Sequence, residues 1–202
     1  MLSIYLLRHA ETDYNAHNMY IGGRSNHIYL SEKGELQAIA VGKFLNKQNL
    51  TFDKVFCSTA IRAKRTLELI KQHFVTLENI DYSDDLQELS QGDWEGQLRS
   101  KIYTEKQLIE INSNQWLFKA PNGESQKEVE ERLLNYIYEK ILSSYSNGNF
   151  LIVGHGVAFK CLLRGILDIS SKMAFKIAID NASLTKLHYD KQQGWYLDYI
   201  NR

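Results

Sequence analysis

The chain has 202 residues, 44% of them hydrophobic, with 24 Lys+Arg balanced by 24 Asp+Glu. That length suits one domain with a sizeable core, and a formal net charge of zero gives no overall pull toward nucleic acid or an anionic membrane. Two cysteines do not make a disulfide framework: Cys57 and Cys161 each sit in an apolar run (KVFCS, FKCLL) and read as buried free thiols. With no CxxC pair and no zinc spacing, neither metal nor cofactor is expected.

The first residues, MLSIYLLRH, form a short apolar run with no basic segment before it, and Arg8 comes immediately after it. This reads as neither a signal peptide nor a membrane span, and a cytoplasmic location is expected. The run itself predicts a buried strand over Ser3–Leu7. Ser31 then caps a helix running to about Asn46, with Leu36, Ile39, Ala40, Phe44 and Leu45 expected on its inner stripe. A second strand is expected at Lys54–Cys57, then a helix from Thr59 to His73 with Ala60, Ala63, Leu67 and Ile70 facing inward. Ile80–Tyr82 reads as a short third strand and Gln97–Ile111 as helical. A capping box, Ser125-x-x-Glu128, opens a helix whose stripe is Val129, Leu133, Ile137 and Ile141. Phe150–Val153 is a strong buried strand, succeeded by Gly154-His155-Gly156 and an amphipathic helix to about Leu167. Leu184–Tyr189 and Trp195–Tyr199 read as terminal strands around a turn at Gly194. They either end the sheet or pair across a dimer, so the sequence is compatible with a monomer or a homodimer. Alternating strands and helices predict an α/β fold, a three-layer sandwich with a mostly parallel central sheet flanked by helices.

Ligands in such sheets bind at the carboxyl ends of the strands. There the sequence places Arg8-His9, Ser58 to Arg62, and Gly154-His155-Gly156. If these three strands are adjacent, one crevice gathers two arginines and two histidines, a cationic pocket in a neutral protein. That suits a dianion such as a phosphoryl group, since arginine's planar fork binds phosphate oxygens in pairs. A neutral imidazole can attack phosphorus, and nearby arginines keep it unprotonated. A second histidine donates to the phosphoryl oxygens, and a carboxylic acid protonates the leaving oxygen.

The run Leu6-Leu7-Arg8-His9-Ala10-Glu11-Thr12-Asp13-Tyr14-Asn15 resembles the signature of the histidine phosphatase superfamily, the phosphoglycerate-mutase-like proteins. So do Cys57 to Thr66, Glu88 to Gly96 and Val153 to Gly156, in family order. Weaker matches are Leu30 to Gly34 with Gln37-Ala38, and Pro121 to Ser125. The resemblance spans nearly the whole chain. It implies that His9 is the phosphorylated nucleophile, that Arg8, Arg62 and His155 complete the phosphate pocket, and that Glu88 is the proton donor, with Glu11, Asp93 and Glu95 as competing acids. It also implies substrate contacts at Asn15, Gly22, Gly23 and Gly156, and no metal. One departure is Ala10, where the family has glycine; it is tolerated if the backbone there avoids positive φ.

Mutases of this family place arginine directly after the catalytic glutamate, and tyrosine two residues later; here those positions hold Leu89 and Gln91. They also grip the substrate carboxylate with an arginine pair, where Ser113–Lys119 offers only Lys119. A phosphatase of small phosphomonoesters is therefore expected over a mutase, resembling broad-specificity and α-ribazole phosphatases. An inactive phospho-ligand-binding relative is a third reading, disfavoured because nucleophile and acid are both present. Residues 97–120 form a possible small helical cap, and Trp116, Leu117 and Phe118 within it either close a lid or, preferably, pack on the core.

Overall fold

Strands that are apolar at every position need cover on both faces of their sheet. The computed structural model, which describes residues 1–75 and 77–202, provides that cover. Strands β1 (Leu2–Arg8), β2 (Lys54–Ser58), β3 (Ile80–Ser83), β4 (Gly148–Gly154), β5 (Leu184–Asp190) and β6 (Gly194–Tyr199) form a six-stranded sheet in the order β3-β2-β4-β1-β5-β6. The first four are parallel; β5 runs antiparallel beside β1, and β6 antiparallel beside β5. The helices are α1 (Asp13–His17), α2 (Glu32–Lys47), α3 (Ile61–Lys71), α4 (Arg99–Ile102), α5 (Glu105–Ser113), α6 (Gln126–Ile137), α7 (Gly156–Leu167) and α8 (Ser171–Ala174).

Alternation along β1 divides the core. Leu2, Ile4 and Leu6 point to one face and pack, with Phe150 and Ile152 of β4, on Val129 and Leu133 of α6 and Phe159 and Leu162 of α7. Tyr5 and Leu7 point to the other, joining Leu151 and Val153 against Leu45 of α2 and Ala63 and Leu67 of α3. Each fully buried side chain contributes about 1.5–3 kcal/mol. The result is the expected three-layer α/β sandwich. Cys57 and Cys161 are free and buried in these two separate cores, and burial pushes both thiols up, away from the reactive thiolate.

The predicted caps form. The Ser31 side chain accepts from Gly34 N, and Ser125 and Glu128 make the reciprocal box that starts α6. Two helix expectations need correction. Along α2, Leu45 is buried and Ile39 half-buried as expected, but Leu36, Ala40 and Phe44 are exposed, Leu36 by 68%, and the other buried positions are Gly34, Ala38 and Gly42. Small residues four apart let α2 lie close to its neighbours: a methyl on Gly34 would stand 2.0 Å from Glu11 O, and one on Gly42 2.5 Å from His73 Cδ2. Gly34→Ala is therefore expected to destabilise the fold by about 1–3 kcal/mol, read as a lower urea midpoint at unchanged slope. The predicted helix over Gln97–Ile111 is two helices. Tyr103 ends α4 by turning its ring edge-on to Trp94, and the Thr104 side chain caps α5 by accepting from Gln107 N.

Candidate active site

β1, β2 and β4 are adjacent and parallel, and their register aligns Arg8 with Gly154 and Cys57 with Val153. Their carboxyl ends therefore deliver Arg8-His9, Ser58 and His155 to one place. His9 N donates to Gly154 O at 2.9 Å, which fixes the chain as it leaves β1. Ala10 is fully buried, its N–H donates to Thr66 Oγ1 at 3.0 Å, and it is not among the positive-φ residues, so the methyl is accommodated.

The His9 ring is held at both nitrogens. Nδ1 lies 2.8 Å from Ala10 O, which can only accept, so Nδ1 carries the proton. Nε2 faces Arg62 Nε at 3.2 Å, which can only donate, so Nε2 presents a lone pair. Burial above all, then Arg62 and Arg8, holds the His9 imidazole well below its ordinary pKa of 6.5. Arg62 is buried on α3, and its other nitrogens donate to Ser25 O at 2.8 Å and Gly23 O at 3.0 Å. Burial draws its pKa down to about 10.

A recess of about 380 Å³ opens over this ring, lined by Arg8, His9, Asn15, Gly22, Gly23, Arg62 and Glu88, with Thr12, Tyr14, Ser25 and Ile28. The structure thus brings seven of the nine predicted site residues to one surface. His155 and Gly156 do not reach it. His155 is fully buried behind His9, with ring centroids 5.1 Å apart, and its Nε2 lies 2.8 Å from Ser58 Oγ. Gly156 faces Arg8 instead: a methyl there would come within 3.1 Å of Arg8 Nε. Burial first, then Arg62, His9 and Arg8, keeps His155 well below its ordinary pKa.

Glu88 is held at the start of α7. Its carboxylate accepts from Val157 N at 3.0 Å, Ala158 N at 2.8 Å and Leu89 N at 2.9 Å, filling the N-terminal donors that a helix leaves open. The competing acids are engaged elsewhere. Glu11 pairs with Lys33, Asp93 accepts from Asn122, and Glu95 accepts from Arg24 N and Gln91 N.

Sequence reasoning missed the charged brace behind Glu88. Glu124 pairs with Arg24 at 2.6 Å and Arg132 at 3.2 Å. These three grip the loop backbone: Arg24 donates to Glu88 O, Arg132 to Gln87 O, and Glu124 accepts from Ser90 N. The loops interlock through glycine, since a methyl on Gly92 would stand 2.0 Å from Pro121 O. Asn181 was also missed; it donates to His9 O and to Asn15 Oδ1, leaving the Asn15 amide N–H groups for the recess. No local pattern marks Asn181, whereas the Pro121–Ser125 run was a visible signal for Glu124.

Because His9 and His155 are buried uncharged, the unfolded chain takes up their protons first as pH falls through about 6.5. Stability is therefore expected to fall below that pH. The urea midpoint should be lower at about pH 5.5 than at about pH 7.5, with a smaller difference in His155→Gln.

A buried, uncharged histidine presenting a lone pair to a recess with two guanidinium groups defines a site for an anionic electrophile. Comparison with known proteins supplies the family: residues 4–202 match the model of the histidine phosphatase superfamily (branch 1), and the chain belongs to it. It is 30% identical, over 98% of its length and 92% of the relative, to a protein of Salmonella arizonae named "Probable phosphoglycerate mutase GpmB". Among solved structures it resembles a mycobacterial glucosyl-3-phosphoglycerate phosphatase (TM-score 0.83, 25% identity, covering 100% of this chain and 99% of that one). It also shares the fold of the α-ribazole phosphatase of Shigella flexneri (TM-score 0.82, 23% identity, covering 100% and 96%).

Proposed function

We propose that the protein is a metal-independent phosphomonoesterase that acts on small phosphorylated metabolites through a phosphohistidine intermediate on His9. The observation that carries this reading is the His9 ring itself, locked by Ala10 O so that Nε2 is the unprotonated nitrogen, held by Arg62 Nε at a guanidinium-lined recess. Nε2 attacks phosphorus and the ester P–O bond breaks. Glu88, in its acid form, gives its proton to the leaving oxygen. Water then attacks phosphorus, Glu88 recovers a proton from it, and the P–N bond breaks to release phosphate. Arg62 Nε turns from Nε2 to the phosphoryl oxygens as the N–P bond forms. A buried donor without a partner, Arg8 Nε, supports an anion here, because an unmet buried donor costs about 1–3 kcal/mol that phosphoryl oxygens would recover.

The mutase reading rests on the Salmonella relative's name. A phosphoglycerate would bring a carboxylate beside the phosphoryl group, and three nearby cations are engaged by acids, Arg24 and Arg132 with Glu124 and Lys119 with Glu128, while Arg99 lies over the Tyr103 ring. Leu89 is buried, so it offers no replacement.

The reading is tested by phosphate release from a panel of phosphomonoesters in EDTA, including phosphoglycerates and α-ribazole phosphate, by wild type and His9→Ala. Turnover that survives EDTA and vanishes in the variant is expected; phosphoryl transfer between glycerate hydroxyls without phosphate release would favour the mutase. Glu88→Gln should slow alkyl phosphates by about 10²–10⁴-fold and p-nitrophenyl phosphate far less, since its leaving group needs little protonation. Equal slowing of both would remove Glu88 from the acid role.

A further inference from the structure

The recess opens outward into a larger cleft of about 1370 Å³ that shares Arg8, Asn15, Gly22, Gly23 and Glu88 with it. The outer wall is apolar and aromatic, formed by Trp94, Tyr103, Leu108, Ile111, Phe118 and Phe175. Trp94 and Phe118 pack on each other at a tilt (centroids 5.6 Å apart, planes 31° apart) within this wall. Helix α5 buries none of its residues, yet it turns Leu108 and Ile111 toward this space, with Leu108 42% exposed. Ile111 packs in part against Ile21, Trp94 and Ala120, whereas the exposed Leu108 leaves apolar surface for an occupant of the cleft to cover.

The polar groups here are mostly uncharged amides, Gln91, Asn112, Gln115 and Gln126. Glu124 is neutralised by its two arginines, and Arg99 lies over the Tyr103 ring at 5.1 Å. We propose that this cleft selects phosphomonoesters whose alcohol is an uncharged, largely apolar body, ring-bearing for preference, and discriminates against alcohols carrying a carboxylate or a second phosphate. The proposal rests on the recess as the phosphoryl site.

Binding of two phosphonates, which no phosphatase can hydrolyse, tests it without relying on turnover. The probes are 3-phenylpropylphosphonate and 3-phosphonopropanoate, titrated by calorimetry into wild type, Leu108→Asn/Ile111→Asn and Arg99→Gln. Wild type is expected to bind the phenyl compound at least about tenfold more tightly, the gain from covering one aromatic ring. The double variant should bring the ratio close to one, with its fold checked by urea denaturation, and Leu108→Asn alone, at an exposed position, should lower the ratio in the same direction. Equal affinities in wild type, a preference for the carboxylate that Arg99→Gln abolishes, or a ratio unchanged in the double variant would each overturn the proposal. The EDTA panel separately decides whether the protein is a phosphatase: a strong phenyl preference with no phosphate release would leave the cleft's selectivity standing and remove the catalytic reading.

Discussion

His9→Ala is expected to lower kcat by at least about 10⁴-fold while the chain folds and still binds inorganic phosphate. The size reflects the role: without Nε2 no N–P bond forms, and water must displace the alcohol directly while Glu88 is needed as acid for the leaving oxygen. Folding should survive because Ala10, Thr66 and Gly154 fix the backbone around His9 through main-chain and Thr66 contacts that the substitution leaves intact. Phosphate binding should survive because Arg8 and Arg62 remain, and losing the ring leaves more room beside them. Calorimetric titration of phosphate, alongside turnover of p-nitrophenyl phosphate, separates the two effects. A variant that turns over within about tenfold of wild type would exclude His9 as nucleophile.

Arg62→Ala should be the next most damaging change, lowering kcat/KM by about 10³-fold. Arg62 does three things from one buried position. Its Nε donates to the His9 lone pair and so keeps Nε2 unprotonated, it raises the local positive potential, and it holds Ser25 O and Gly23 O in the loop that forms the recess wall. Removing it leaves two carbonyls short of a donor, so stability should also fall, by about 2 kcal/mol. Arg62→Lys should recover little, because a point-charge ammonium cannot serve Nε2 and two carbonyls from one planar fork. Recovery of most activity by lysine would reduce the role of Arg62 to charge alone. Chemical denaturation measured in parallel shows how much of the loss is structural.

Much of this site was legible because its residues sit at strand ends. Apolar runs mark β1, β2 and β4. Side chains just past such a run lie at the carboxyl edge, where an α/β fold binds ligands, so Arg8, His9 and His155 could be placed there from sequence order. Caps were legible for a similar reason: Ser31 and the Ser125–Glu128 pair act within one turn of themselves. Two kinds of feature were not. The inner stripe of α2 is made of Gly34, Ala38 and Gly42, residues whose value lies in what they lack, and a hydrophobicity pattern favours the exposed Leu36 and Phe44 instead. Nor does periodicity register the break between α4 and α5, which depends on Tyr103 meeting the distant Trp94.

Residues that act through others were the least visible. Asn181 on His9 O and Asn15, and Glu124 between Arg24 and Arg132, are brought in by tertiary structure, and the contact of Ser58 with His155 is set the same way. Likewise, sequence order brings His155 and Gly156 to the carboxyl edge but does not show that His155 packs on His9 and Gly156 on Arg8.

Trapping the covalent phosphohistidine is the direct test of the catalytic role assigned to His9. Wild-type protein would be mixed with excess p-nitrophenyl phosphate, quenched in alkali during turnover, and digested for mass spectrometry. An alkali-stable, acid-labile phosphoryl group is expected on the peptide containing His9, and none in His9→Ala. A phosphoryl group on any other side chain, or rapid turnover with no covalent adduct at any quench time, would contradict a phosphohistidine mechanism.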